Sequence, residues 1–265
     1  MPRKNPVSEK IKKDLANELN EFGYEYISGT SDPWILERKI DDFKIEVCIQ
    51  KYRFDKNVLI MQITSNGLTA NGEMRLREIL NQHGNYNLGG AWKYDEESLE
   101  KVIFEMADII IKECETIIND VSYRKPFLLD NEMYINLYNN HDEYRRLLLK
   151  ENIELQEVDS NDVGSMVDII QIICEKIKDR PITEQKEMIL RIAAYLGELI
   201  VEKTGKQWVL KEVRERKLTH IIDIDPINCT CKNFVLPINI LVIVSNGYMN
   251  NNYMGLKRNL ELELS

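Results

Sequence analysis

The N-terminal part of the chain shows one helical pattern followed by several strand patterns. Apolar residues recur in steps of three or four between Ser8 and Gly23, which predicts a helix that ends at the glycine. Residues 43–51 alternate between apolar and polar side chains, as a strand with one buried face does. Similar strand-like runs lie at 24–28, 34–40 and 58–64. We therefore predict an antiparallel meander of four strands behind the first helix.

The periodicity fails between Leu68 and Trp92, where glycines and polar residues predominate. A short helical fragment near 74–80 is the sole regular feature, and we predict an irregular insertion. Helical spacing returns at 95–118, and the acidic residues at its start suit the positive end of the helix dipole. A further helix is predicted at 131–150, and the pattern leaves open which domain it joins.

The second half of the chain contains two helical patterns and two strand patterns. These are helices at 163–174 and 188–200 and strands at 207–214 and 219–224. Pro181 separates the two helices, and Gly205 ends the second one. Residues 234–244 are apolar throughout, so periodicity does not decide between a buried strand and a short helix there. The polar tail after Asn250 is predicted to be frayed.

These elements predict an α+β fold in two domains. The N-terminal domain, residues 1–125, combines a helix, the antiparallel meander and a second helix. A connecting helix and an acidic linker occupy residues 126–157. The C-terminal domain, residues 158–265, packs helices on a small antiparallel sheet. With 43% hydrophobic residues among 265, the chain has enough apolar surface for both cores to fold without disulfides.

The charge and the cysteines narrow the class of protein further. Lys and Arg number 35 against 44 Asp and Glu, and the resulting net charge of −9 repels phosphate backbones. No export signal follows the basic N-terminus, and residues 234–244 fall short of the roughly 20 apolar residues that cross a bilayer. Five cysteines, an odd number, indicate a reducing compartment. We expect a cytoplasmic protein without nucleic-acid or membrane partners.

The densest group of side chains that could ligate a metal lies in the C-terminal half. It comprises His220, Asp223, Asp225, Cys229 and Cys231. On a strand, Asp223 and Asp225 share one face and His220 points to the other, and a single Cys-x-Cys pair is a weaker zinc signal than two Cys-x-x-Cys pairs. We therefore assign no metal ligand and no cofactor. A metal-dependent hydrolase that uses this segment is the first alternative function.

The sequence lacks the motifs of the common hydrolases and nucleotide-binding proteins. Its three histidines, His83, His141 and His220, are outside the sequence contexts of serine and cysteine hydrolases. The His141-Asp142 pair lies in a predicted helix with no nucleophile beside it. Neither glycine-rich phosphate-binding loop is present. We assign no catalytic residue.

The segment most typical of a recognition surface runs from His83 to Trp92, because it places aromatic side chains on a glycine-rich frame. A surface loop packed on its own aromatic residues has the same composition. The contact residues that we predict are Tyr86, Trp92, Tyr94, Asp95, Glu96 and Glu97.

Two resemblances bear on these domains. Residues 195–200, Tyr-Leu-Gly-Glu-Leu-Ile, run into Gly-Lys-Gln-Trp at 205–208, and this pattern resembles small uncharacterised bacterial domains over residues 163–250. The resemblance implies that the helix glycine permits close packing on the sheet and that the tryptophan anchors the strand. Residues 11–118 look like helix-meander-helix domains of unknown function, some of which occur near bacterial toxin and immunity genes.

These observations together favour a non-catalytic cytoplasmic module that binds another protein. The second resemblance implies an immunity-type or regulatory protein, and the acidic charge suits a basic protein partner because opposite potentials speed association. The second alternative is a structural protein that forms a homodimer through apolar surface around 234–244.

Overall fold

A computed structural model describes residues 6–28, 32–86, 89–213, 216–222 and 238–264. The chain divides into two compact units, Met1–Leu128 and Leu129–Ser265. A five-stranded antiparallel sheet lies in the first unit and a two-stranded one in the second, and both units are rich in helix. The predicted α+β class is confirmed.

The first unit contains three longer helices, a short 3-10 helix at Val121–Tyr123 and five strands among its described residues. Helix α1 consists of Pro6–Lys10, a π-helical turn at Ile11–Leu15, and Ala16–Asn20. Helix α2 is Ala70–Asn81. Helix α3 consists of Leu99–Ile109, a π-helical turn at Ile110–Cys114, and Glu115–Asn119. The strands of the unit are β1 (Glu25–Ser28), β2 (Trp34–Ile40), β3 (Phe43–Tyr52), β4 (Asp55–Ser65) and β5 (Ala91–Lys93). The strands are hydrogen-bonded in chain order, each antiparallel to the next, so the predicted meander is present and gains a fifth strand.

The core of the first unit lies against one face of this sheet. On β3, the side chains of Ile45, Val47 and Ile49 are fully buried, while the residues between them are half-buried. They pack in one cluster with apolar side chains of α1 and α3. The alternation that predicted one buried face on β3 therefore describes the strand correctly.

The irregular insertion predicted between Leu68 and Trp92 is wrong over most of its length. Helix α2 begins after Thr69, whose side-chain oxygen accepts a hydrogen bond from the Gly72 amide at 3.3 Å. Only the fragment near 74–80 was predicted, because few residues of the helix are both apolar and buried, chiefly Leu76 and Leu80, which is too sparse to show the full helical period.

The second unit contains six helices and one strand pair among its described residues. They are α4 (Asn131–Glu151), α5 (Glu154–Glu157), α6 (Val163–Ile177), α7 (Ile182–Thr204), β6 (Gln207–Val213), β7 (Arg216–Ile222), α8 (Ile240–Met249) and α9 (Tyr253–Leu264). Strands β6 and β7 are antiparallel. Helix α4, whose domain the sequence left open, packs against α7 and against both strands, and it belongs to this unit.

The last two helices include residues 240–244 of the segment that the sequence left ambiguous, whose residues 234–237 lie outside the described ranges, and the tail that was predicted to be frayed. Helix α8 begins after Asn239, whose side chain accepts a hydrogen bond from the Val242 amide at 3.2 Å. Its apolar side chains are buried or half-buried within the unit. Helix α9 buries Tyr253, Leu256 and Leu260, a helical spacing that the surrounding polar residues concealed. The frayed tail is therefore a packed helix.

Gly197 and Trp208 form a close contact between α7 and β6. A Cβ atom added to Gly197 would lie 2.2 Å from both Cζ2 and Cη2 of the indole ring. Only a residue without a side chain can therefore occupy this position while the ring stays in place. The glycine thus allows the helix to approach the strand at the tryptophan, which is the packing role that the first resemblance implied.

Replacing Gly197 with Ala should destabilise the protein by about 1–3 kcal/mol, because the new methyl group overlaps the Trp208 ring. Gly247→Ala is the matched control. Gly247 is also buried in a helix, but a Cβ atom there would lie 3.5 Å from Leu256, an ordinary contact. Urea unfolding followed by far-UV circular dichroism measures both variants. Equal unfolding midpoints for the two would contradict the close packing.

Candidate functional site

A groove of about 830 Å³ in the first unit brings four of the predicted contact residues together. It lies between the start of α1, the β3–β4 hairpin and the segment that leads into α3. The four residues are Tyr94, Asp95, Glu96 and Glu97. We refer to this groove as the acidic groove, because acidic side chains outnumber lysines along its walls.

One of the lysines that line the groove is already paired with acidic side chains. Lys10 Nζ contacts Asp14 Oδ2 at 3.0 Å and Glu100 Oε2 at 2.9 Å, and these hydrogen bonds raise the pKa of Lys10. Glu96 and Glu97 are exposed at the same groove. The groove therefore presents a net negative charge to solvent.

Two of the residues at the groove are held in place by hydrogen bonds. The Tyr94 hydroxyl donates to the Lys56 carbonyl at 3.0 Å, which fixes the ring at the hairpin. Asp95 Oδ1 accepts hydrogen bonds from the Ser98 amide at 2.8 Å and from its hydroxyl at 2.6 Å. These bonds to Ser98 lower the pKa of Asp95 and form a turn at the start of α3. Asp95 is thus a structural residue as well as part of the groove wall.

The structure places the two other predicted contact residues differently. Trp92 is fully buried, and its Nε1 donates to Glu105 Oε1 at 2.8 Å, so the indole belongs to the core and presents no surface to a partner. The sequence could not distinguish a loop tryptophan from a core one because β5 is only three residues long. Tyr86 is half-buried, and its ring centroid lies 6.1 Å from that of Tyr52.

An exposed aromatic group at the tip of the β3–β4 hairpin was missed by the sequence analysis. The Phe54 side chain is 70% exposed, and its ring makes an edge contact with Tyr52 at a centroid distance of 5.3 Å. The guanidinium carbon of Arg53 lies 4.2 Å from the centre of the Phe54 ring. Together with Tyr86 these residues are called the hairpin cluster. The sequence signal of this cluster is the run Tyr-Arg-Phe at 52–54, because a hairpin turn usually contains small polar residues.

The hairpin cluster adjoins the acidic groove along the chain. Lys51 and Asn57, which flank the hairpin tip on either side, both line the groove. The Tyr94 amide also donates to the Asn57 carbonyl at 2.9 Å. This part of the first unit therefore combines the exposed Phe54 ring, packed on the half-buried Tyr52, with excess negative charge.

The second unit contains a separate polar group around His141. His141 Nδ1 lies 2.6 Å from Glu198 Oε1, and Trp208 Nε1 donates to the same oxygen at 2.5 Å. The imidazole also stacks on the indole ring, at a centroid distance of 5.1 Å and an angle of 21°. The contact with Glu198 raises the pKa of His141, and the contact with His141 lowers the pKa of Glu198, as in an ion pair.

Asp142 completes this group. Its Oδ1 lies 3.7 Å from His141 Nδ1, and its side chain is 90% exposed. Within the described parts of the chain, one set of His, Cys, Asp and Glu side chains has all its ligand atoms within 4.8 Å of one another. It consists of His141, Asp142 and Glu198. His141-Asp142 and Glu198 lie far apart in the sequence, and nothing in the chain pattern shows that α4 and α7 bring them together.

The alternative site around His220 is only partly visible. His220 lies on β7 with its side chain largely buried, and burial lowers its pKa. Asp223, Asp225, Cys229 and Cys231 lie outside the described residues. The metal-dependent hydrolase therefore stays a prediction.

No protein-family model, no curated protein and no solved structure matches this chain. None of the helices in the described ranges is long and apolar enough to span a membrane. A function for the chain therefore has to be derived from the geometry of its own side chains.

Asp95→Ala should lower the urea midpoint of unfolding at neutral pH, because it removes the acceptor that organises the turn immediately before α3. The pKa of this carboxyl is lowered in the folded protein, so its contribution is present above the ordinary aspartate pKa of about 4 and is lost as the pH falls through the lower folded value. The difference from the unsubstituted protein should therefore shrink as the pH falls below about 4.

Glu96→Ala is the control for this effect, because Glu96 is an exposed neighbour at the same groove. We expect its unfolding midpoint to follow that of the unsubstituted protein at every pH. A pH-independent difference for Asp95→Ala would show that the charged form of Asp95 is not what stabilises the turn.

Proposed function

We propose that this protein is a non-catalytic binding protein whose first unit contacts a basic protein partner through the hairpin cluster and the acidic groove. The observation that carries the proposal is the exposure of Phe54 beside Arg53 and Tyr52. An apolar ring that is 70% exposed gains free energy when a partner covers it, and complete burial of such a side chain contributes about 1.5–3 kcal/mol.

The composition of the hairpin cluster is that of an interface centre. Tyrosine, phenylalanine and arginine are enriched at protein interfaces, and the aromatic side chains lose little entropy on binding because they have few rotatable bonds. Here the rings of Tyr52, Phe54 and Tyr86 support one another by edge contacts, so part of the ordering is complete before a partner arrives.

The acidic groove supplies the electrostatic part of the recognition. Glu96 and Glu97 are exposed there, and the whole chain has a net charge of −9. Opposite potentials accelerate encounter and disfavour acidic competitors. A basic partner is therefore the class that this surface suits, and neutralisation of a toxin or regulation of a basic protein is the role that we propose.

The proposal can be tested by placing a photo-crosslinking amino acid at position 54 and irradiating the cells that naturally make the protein. We expect a discrete crosslinked adduct with a basic protein, because Phe54 is at the centre of the proposed contact. The matched control places the same amino acid at Met254, which is 83% exposed in the second unit. An equal yield of the same adducts from both positions, or no adduct from position 54, would refute the proposal.

The contribution of the acidic groove to binding is tested separately, with the partner that the crosslinking identifies. Glu96→Lys combined with Glu97→Lys should slow association and leave dissociation nearly unchanged, because exposed charges act mainly on the encounter rate. Stopped-flow measurements at several salt concentrations give both rates. Phe54→Ala should show the opposite pattern, with faster dissociation, because it removes packed apolar contact.

A further inference from the structure

We propose that His141, Asp142 and Glu198 form a binding site for one divalent transition-metal ion such as Zn²⁺. The site lies in the second unit and is independent of the protein contact proposed for the first. It differs from the His220 segment considered in the sequence, since it uses ligands from α4 and α7.

The positions of the ligand atoms are close to those that an ion requires. Bonds of about 2.0–2.2 Å from zinc to nitrogen and oxygen place tetrahedral ligand atoms roughly 3.3–3.6 Å apart. His141 Nδ1 and Asp142 Oδ1 are already 3.7 Å apart. His141 Nδ1 and Glu198 Oε1, at 2.6 Å, must separate by about 1 Å or less for the ion to replace the proton between them.

The residues around Glu198 and His141 orient both side chains in a way that suits a metal ion. Trp208 Nε1 donates to Glu198 Oε1, and the indole stacks on the His141 ring, so both ligands are oriented by a third residue. Contacts of this kind, which are made to the ligand side chains and not to the ion, commonly change metal affinity by about 10- to 100-fold. The nearby Arg145 guanidinium is paired with Glu202, since Arg145 Nη2 lies 3.3 Å from Glu202 Oε2.

The donor set selects the class of ion. One imidazole nitrogen with two carboxylates favours a transition-metal ion over Mg²⁺ or Ca²⁺, which prefer oxygen ligands alone. Asp142 is 90% exposed, so solvent can reach the ion and fill its remaining coordination positions. The site therefore resembles an open zinc site more than a closed structural one.

The test is a titration of the chelator-treated full chain with ZnCl₂, measured by isothermal titration calorimetry. It is performed in a Cys229→Ser, Cys231→Ser background, because these two cysteines are the thiol ligands of the other candidate segment, residues 220–231. We expect one ion per chain, and His141→Ala should weaken binding by about tenfold or more. Asp142→Asn, at an exposed side chain that the fold does not need, is the second variant and should also weaken binding.

His83→Ala is the matched control. His83 Nε2 lies 2.8 Å from Glu113 Oε1, so it is also a histidine paired with a carboxylate, but it is not part of a three-ligand group among the described residues. Its zinc affinity should equal that of the background protein. The proposal is overturned if the background protein binds no zinc, or if neither His141→Ala nor Asp142→Asn binds zinc more weakly than His83→Ala does.

Discussion

The second unit depends on the approach of α7 to the indole ring of Trp208. Gly197 leaves room for the ring, and the next residue, Glu198, accepts the hydrogen bond from Nε1. Two consecutive residues of α7 therefore fix both the packing of the indole and its hydrogen bond. The same indole then stacks on His141 of α4. A buried aromatic side chain with one polar atom specifies its neighbours more narrowly than an aliphatic one, because that atom must be satisfied. The proposed metal site is a consequence of this arrangement.

In the first unit, a buried carboxylate joins the helices to the sheet. Glu115 of α3 is 4% exposed, forms an ion pair with Arg38 of β2, and accepts a hydrogen bond from the Tyr24 hydroxyl at 2.9 Å. Burial raises the pKa of Tyr24, which keeps the phenol protonated as a donor. A buried charge is tolerated only when its partners are in place, so this contact fixes how α3 lies on the strands. The hairpin cluster is not part of this core, and its Phe54 ring is exposed.

The two units thus use polar residues for different purposes. In the first, the exposed Phe54 ring adjoins exposed acidic side chains, a combination that suits the proposed association with a basic protein. In the second, a histidine and a carboxylate are drawn together against a tryptophan, a combination that suits an ion. Neither proposal requires the other, and each can fail alone.

The sequence by itself determined the α+β class, the meander and most of the helices, because helical and strand periods are local and depend on which side chains must leave water. It also identified Tyr94, Asp95, Glu96 and Glu97, which line one groove. It could not show that Trp92 is buried, that Phe54 is exposed beside Arg53, or that α9 packs, since each depends on what another part of the chain covers. Only the tertiary structure brought His141 to Glu198, because a contact between two helices is decided by the fit of their surfaces and leaves no period in the sequence.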